Sequence, residues 1–150
     1  MRKLTRSILW VSGLYLTLAI AGCGLPGRSN EPIPEIDVAG IQQLAQSDRQ
    51  LFRDNTILID VRTPEEYARD RIGDSPLVPL SEIESGAGMG KIRQLAADGD
   101  RQIVLYCFSG VRSAKAQQIL SEAGIPALSL AGGIQAWRQA IPPEMDASLL

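Results

Sequence analysis

The chain has 150 residues, enough for one domain with a sizeable core, and its 45% hydrophobic and 21% charged residues are ordinary for a globular protein. The formal charge of −2 is unevenly spread: residues 1–22 hold Arg2, Lys3 and Arg6 and no acid, and beyond them twelve basic residues face seventeen acidic ones, a net of −5. That balance argues against a nucleic-acid partner, whose phosphates call for a basic surface.

The N-terminus reads as an export signal. "MRKLTRS" is a basic n-region and "ILWVSGLYLTLAIAG" an apolar h-region of 15 residues, short for a membrane span of ~20 residues. "AIAGC" then sets Ile20, Ala21 and Gly22 before Cys23 and resembles a bacterial lipoprotein lipobox. The resemblance implies a signal peptide over residues 1–22, with Cys23 lipidated on its sulfur and first in the mature protein. The plainer alternative is an uncleaved anchor with a chance cysteine. Residues 24–35, "GLPGRSNEPIPE", have the Pro, Gly and polar content of a flexible tether. The expected location is the periplasmic or outer face of a bacterial membrane, with the globular part anchored through lipid rather than spanning. A lipidated Cys23 leaves Cys107 as the one free thiol, in a compartment where disulfides usually form. With no histidine in the chain, the residues supply no zinc or iron–sulfur donor set and no Cys-His dyad, so no metal or cofactor is expected.

Further along, strands and helices alternate. "IDVAGIQQLAQ" puts Ile41, Leu44 and Ala45 at helical spacing, and "TILIDV" (56–61) is a β-branched run of strand length. "TPEEY" starts a helix: Thr63 caps, Pro64 takes the first helical position and Glu66 completes a capping box, so Glu65 and Glu66 belong to the helix start. "PLVPL" reads as a strand, "SEIE" (81–84) repeats the capping-box spacing, and "GKIRQLAADG" predicts a helix stopping at Gly99. "QIVLY" is the most apolar strand. A helix follows over about 112–123 with Gly124 as its stop, then a last strand "ALSL" and the segment "AGGIQAWRQA". Strands without period-2 alternation, separated by helices, predict an α/β fold with a parallel sheet covered on both faces, where ligands bind beyond the strands' carboxyl ends.

One loop at such an end is "CFSGVRS". Gly110 permits a tight turn there, which aims successive backbone N–H groups at Cys107. The helix dipole, the hydroxyls of Ser109 and Ser113 and the charge of Arg112 add to an anion cradle that holds a thiolate without a histidine. The same residues also suit a small buried hydrophobe at a strand end.

Three segments, "ILIDVRTPEEYARDRIGDSPLVPL", "IVLYCFSGVRSAKAQQILSEAGI" and "LAGGIQAW", together resemble the rhodanese family of single-domain sulfurtransferases. The resemblance covers residues 36–140 and leaves 141–150 as a C-terminal tail. It implies a five-stranded parallel sheet with helices on both faces. It also implies a Cys107 persulfide that passes sulfur from a small-molecule donor, thiosulfate or a persulfide, to a thiol or cyanide acceptor. The active-site loop and substrate-binding residues fall on Phe108, Ser109, Gly110, Val111, Arg112 and Ser113, with Asp60 and Arg62 in support and Trp137 at a packing position; a monomer is expected. Asp60 reads more readily as a strand-end cap or ion-pair partner, with Arg112 its candidate partner, than as an acid–base catalyst. Two positions depart from the family: Arg71 replaces a usual histidine, and Phe108 stands where several thiosulfate-using members carry a basic residue. Competing classes are a non-catalytic module on the same fold and a cysteine phosphatase or arsenate reductase. Phosphatase loops place the arginine six residues after the cysteine, whereas Arg112 is five after Cys107.

Overall fold

The computed structural model describes residues 34–96 and 101–150. The signal segment, Cys23 and the helix stop expected at Gly99 lie outside the described residues. In chain order the elements are β1 (Glu35–Ile36), α1 (Val38–Ser47), α2 (Arg49–Asn55), β2 (Thr56–Asp60), α3 (Pro64–Arg69), α4 (Leu80–Glu84), α5 (Met89–Leu95), β3 (Gln102–Tyr106), α6 (Val111–Glu122), β4 (Ala127–Leu130) and α7 (Gly133–Ala140). A 3₁₀ turn (Pro143–Met145) and α8 (Asp146–Leu149) complete the chain.

Short polar caps set several helix starts. The Asp37 carboxylate accepts from Gly40 N–H at 2.7 Å and that of Asp48 from Leu51 N–H at 2.9 Å, each meeting a donor that the first turn leaves without a partner. Thr63 and Glu66 form the reciprocal capping box expected of "TPEEY". The matching expectation at Ser81 does not hold. Helix α4 begins one residue earlier, at Leu80, behind Pro79, and Ser81 lies inside it.

The described strands form one parallel sheet in the order β1-β4-β3-β2, with Leu58 beside Val104 and Val104 beside Leu128. The expected fifth strand shrinks to a single parallel bridge between Asp60 and Leu77. Around it Pro76 O accepts from Asp60 N–H and Val78 N–H donates to Asp60 O, both at 2.9 Å. Pro76 and Pro79 have no N–H to extend the ladder, so the pairing stops there.

Alternation along the strands feeds two cores. Ile57, Ile59, Val61, Ile103 and Leu105 face one side, with Ile83, Ile92, Ala116 and Leu120 of the helices over them. Leu58, Val104, Tyr106 and Leu130 face the other, against Ile41, Phe52, Ile134 and Trp137. Helices thus cover both faces, which is why the strands read as continuous apolar runs. Leu44, grouped with Ile41 and Ala45 by spacing, points to solvent.

The segment 141–150 folds back onto the domain instead of trailing from it. The buried carboxylate of Asp146 accepts from the Trp137 indole N–H at 2.8 Å, from Arg138 at 2.9 Å and from Gly73 N–H at 3.0 Å. Arg138 also holds Asp70 at 2.8 Å, which ties α7 to the end of α3.

That anchoring aims the N-terminus of α7 at the loop after β3. Ile134 N–H donates to Cys107 O at 2.8 Å and Gln135 N–H to Phe108 O at 3.0 Å. The approach requires a glycine at 133: its φ is +58°, and a β-carbon would sit 2.4 Å from Cys107 O and 2.6 Å from Phe108 O. Gly133→Ala is therefore expected to cost about 3 kcal/mol through overpacking and positive-φ strain. It should also displace the loop, seen together as a lower midpoint in denaturant unfolding and slower alkylation of Cys107.

Candidate active site

Cys107 follows the last residue of β3 and is 1% exposed. The chain turns back at Gly110, whose φ of 97° is a left-handed conformation, and enters α6 at Val111. The turn brings Gly110 N–H to 3.2 Å from Cys107 Sγ. The Ser113 hydroxyl, one turn into α6, lies 3.7 Å from the sulfur and 2.9 Å from both Gly110 O and Ser129 Oγ. Helix α7 holds the carbonyls of Cys107 and Phe108, and the peptide that carries the Phe108 carbonyl turns the Ser109 amide to the opposite side.

Burial by itself pushes the Cys107 thiol up. The backbone and hydroxyl of Ser113 and the backbone of Gly110 and Ser109 outweigh it, and the thiol lies below its ordinary value. Ser109 acts through its backbone rather than its hydroxyl. The cradle is a set of backbone and hydroxyl dipoles gathered on the sulfur, with the Arg112 guanidinium near enough to interact with it.

The charged residues pair differently from expectation. Asp60 partners Arg62, not Arg112: Arg62 Nη2 lies 2.6 Å from Asp60 Oδ2, its backbone N–H donates to Asp60 Oδ1 at 2.8 Å, and both residues are buried. Arg62 also donates to Asp70 O and sits 5.7 Å over the Tyr106 ring. With Arg62 Nε and Nη2 both engaged, the pair is a strut between the end of β2 and the end of α3.

Arg112 instead makes a two-pronged pair with Glu66, at 2.6 and 2.7 Å. Arg112 holds the Glu66 carboxyl down at about 2, and Glu66 in turn raises the guanidinium, with a smaller contribution from the nearby Cys107 sulfur. Glu66 thus serves twice, capping α3 and fixing the arginine at the rim of the cradle. Sequence reasoning assigned it only the first role, since nothing in local spacing links residues 66 and 112. Arg71, at the position of the family's histidine, stacks its guanidinium 5.1 Å over the Tyr67 ring.

The rim itself is apolar, with Phe108 52% and Val111 75% exposed. Beside Phe108 lies a cavity of about 500 Å³ walled by Arg69, Ile134, Gln135 and Gln139 together with the paired Arg62, Glu66, Asp70 and Arg138. A larger cavity, about 800 Å³, opens by Phe52, Thr56 and Arg101 at the amino end of β2. Its lining includes no cysteine and lies at the opposite end of β2 from the loop, so the smaller cavity is the one beside Cys107.

Residues 44–140 match the model of the rhodanese-like domain family. A sulfurtransferase of Allochromatium vinosum is 35% identical over 112 residues, which cover 73% of this chain and 94% of that protein. The probable adenylyltransferase/sulfurtransferase MoeZ of Mycobacterium tuberculosis is 45% identical over 89 residues, covering 59% of this chain; the chain spans only 21% of MoeZ. A human single-domain sulfurtransferase of known structure superposes with a TM-score of 0.55 at 25% identity, over 73% of this chain and 98% of its own. By sequence and by fold, this chain belongs to the rhodanese-like domain family.

Proposed function

We propose that the domain is a sulfurtransferase that carries a sulfane sulfur on Cys107 as a persulfide, working from a lipid anchor at Cys23 on the outside of a bacterial membrane. The observation that supports the transfer reading best is the set of donors around Cys107 Sγ, Gly110 N–H at 3.2 Å and the Ser113 hydroxyl at 3.7 Å, with a thiol lowered from its ordinary value. The kinship with proteins named sulfurtransferases supports it independently.

In the first half-reaction the Cys107 thiolate attacks the outer sulfur of a donor R–S–SH. The donor's S–S bond breaks, R–S⁻ departs with the bonding pair, and the enzyme holds Cys107–S–SH. With thiosulfate the departing group is sulfite. In the second half-reaction an acceptor thiolate, or cyanide, attacks the outer sulfur of that persulfide and regenerates the Cys107 thiolate, which the same amides stabilise as leaving group. The narrow opening above a 1% exposed thiol suits a donor that presents a terminal sulfur. A phosphatase reading is less well supported, because Arg112 is one residue nearer the cysteine than an oxyanion cradle needs and its guanidinium is bound to Glu66. A cysteine held in such a cradle likewise weighs against a purely non-catalytic module.

The apolar rim favours a neutral or thiol-borne donor over thiosulfate. Sulfite leaves as a dianion and needs positive charge at the mouth, where Phe108 presents a ring.

Four measurements bear on this reading. Cys107→Ser should abolish sulfur uptake, read as one added sulfur in the intact mass, while shifting Tm by no more than a few degrees, or ~1 kcal/mol. In the wild type, uptake should fall as pH drops through the folded thiol's pKa. Because the loop donors lower that pKa from its ordinary value, activity should persist to lower pH than an exposed thiol allows. Phe108→Arg should raise kcat/KM for thiosulfate about tenfold, equivalent to ~1.4 kcal/mol of transition-state stabilisation; an unchanged value removes Phe108 as the determinant of donor choice. Cys23→Ser should stop fatty-acid incorporation in labelled cells, and equal labelling of mutant and wild type refutes the anchor.

A further inference from the structure

The cavity beside Phe108 has a feature that sulfur transfer alone leaves unexplained. Three arginines line it. Arg62 is bound to Asp60, and Arg138 to Asp70 and Asp146. Arg69, in the last turn of α3, makes no hydrogen bond or ion pair among the described residues, and its guanidinium is exposed. The acids of the same wall are taken: Glu66 is held by Arg112 and Asp70 by Arg138, while exposed Glu65, one turn before Arg69 on α3, lies outside the lining and feels Arg69 only as a minor attraction across solvent. The cavity therefore offers one positive charge that no acid of its wall holds, two side-chain amides at Gln135 and Gln139, and an apolar wall of Phe108 and Ile134.

Its placement gives these groups a use. Cys107 is not part of the wall, but Phe108 is its chain neighbour, and Gln135 and Ile134 are the two residues whose amides hold the loop. A donor whose terminal sulfur enters the cradle leaves the rest of its body on the Phe108 side. A volume of about 500 Å³ falls within the range of small-molecule sites, about 300–1,000 Å³, and is far larger than sulfite requires.

We infer that this cavity is a subsite for the organic body of the sulfur donor, with Arg69 receiving a carboxylate carried by that body. The inference rests on the sulfur-transfer reading and narrows it: the donor is an organic persulfide, R–S–SH, whose R bears an acid a few bonds from sulfur. Its methylenes lie on Phe108 and Ile134, and amide or amine groups along it meet Gln135 and Gln139. The reaction is the half-reaction already written, with R–S⁻ leaving; the carboxylate takes no part in the bond changes and acts through binding alone. Arg69 is thus a specificity-determining residue. Being exposed, its attraction should weaken as salt rises.

Two measurements test this. The first uses the persulfide of 3-mercaptopropionate and that of its methyl ester, each generated in situ, with the rate of sulfur addition to Cys107 followed by intact mass. The wild type should favour the acid over the ester by about fivefold in kcat/KM, Arg69→Ala should erase that preference, and Arg69→Lys should restore part of it. The second uses 3-(methylthio)propionate, an unreactive thioether of the same shape, titrated into ¹⁵N-labelled protein. The side-chain amides of Gln135 and Gln139 should shift in the wild type, with the apparent Kd rising about fivefold in Arg69→Ala. An acid preference that survives Arg69→Ala, or a thioether that leaves these amides unmoved, overturns the subsite. Arg69-dependent thioether binding without sulfur addition from either persulfide upholds the subsite and refutes the transfer reading instead.

Discussion

Two hydrogen bonds hold the functional end of this molecule in shape: those from the first amides of α7 to the carbonyls of Cys107 and Phe108, at 2.8 and 3.0 Å. A peptide unit cannot turn its C=O outward without turning the next N–H inward. Fixing the Phe108 carbonyl against α7 therefore turns the Ser109 amide towards the sulfur, and the turn at Gly110 and the start of α6 add the amides of Gly110 and Ser113. This is electrostatic preorganisation by backbone, with the reorganisation cost met at folding rather than at each turnover. No neighbouring base acts on the thiol; burial disfavours its anion, and the surrounding donors more than offset that.

Much of the rest supports that arrangement. Helix α7 must present its end at the right height, and the Arg138 pairs with Asp70 and Asp146 fix it against α3 and the C-terminal segment. The Asp60–Arg62 pair does similar work between the end of β2 and the end of α3. A buried ion pair adds little stability over apolar packing but is costly to break one-sidedly, so it fixes geometry more than it adds free energy. The Arg112–Glu66 pair, partly exposed, matters less for stability than for fixing a guanidinium at the rim, near the Cys107 sulfur. The exposed apolar side chains of the rim are Phe108 and Val111.

What could be read from the sequence was what the chain decides within a few residues. The Thr63–Glu66 box, the turn at Gly110, the strand at 56–60 and the helix stop at Gly124 are each fixed by groups three or four positions apart, and the structure has all of them. The α/β class followed from the rhythm of those pieces. Contacts between distant segments could not be read in this way. Glu66 meets Arg112 across 46 positions, and Arg138 reaches Asp70 across 68. Charge identity alone offered Asp60 as an equally good partner for Arg112; only the packing of α3 beside the loop decides for Glu66. The fifth strand was over-read for the opposite reason. "PLVPL" has the apolar content of a strand, but its two prolines remove the donors a ladder needs. The role of Gly133 was invisible too, since a glycine pair after a strand looks like any turn until the carbonyls it approaches are placed.

The bond from Trp137 to Asp146 has a practical side. The chain's two tryptophans are Trp10 and Trp137, so residues 36–150 contain a single indole, fully buried on α7, whose N–H ends on a carboxylate from the C-terminal segment. Its emission is an optical reporter of whether that segment is docked, and through α7 of whether the loop carbonyls are held. Unfolding of the C-terminal segment, of α7 and of the nucleophile's cradle can all be followed from one intrinsic chromophore, with no label attached.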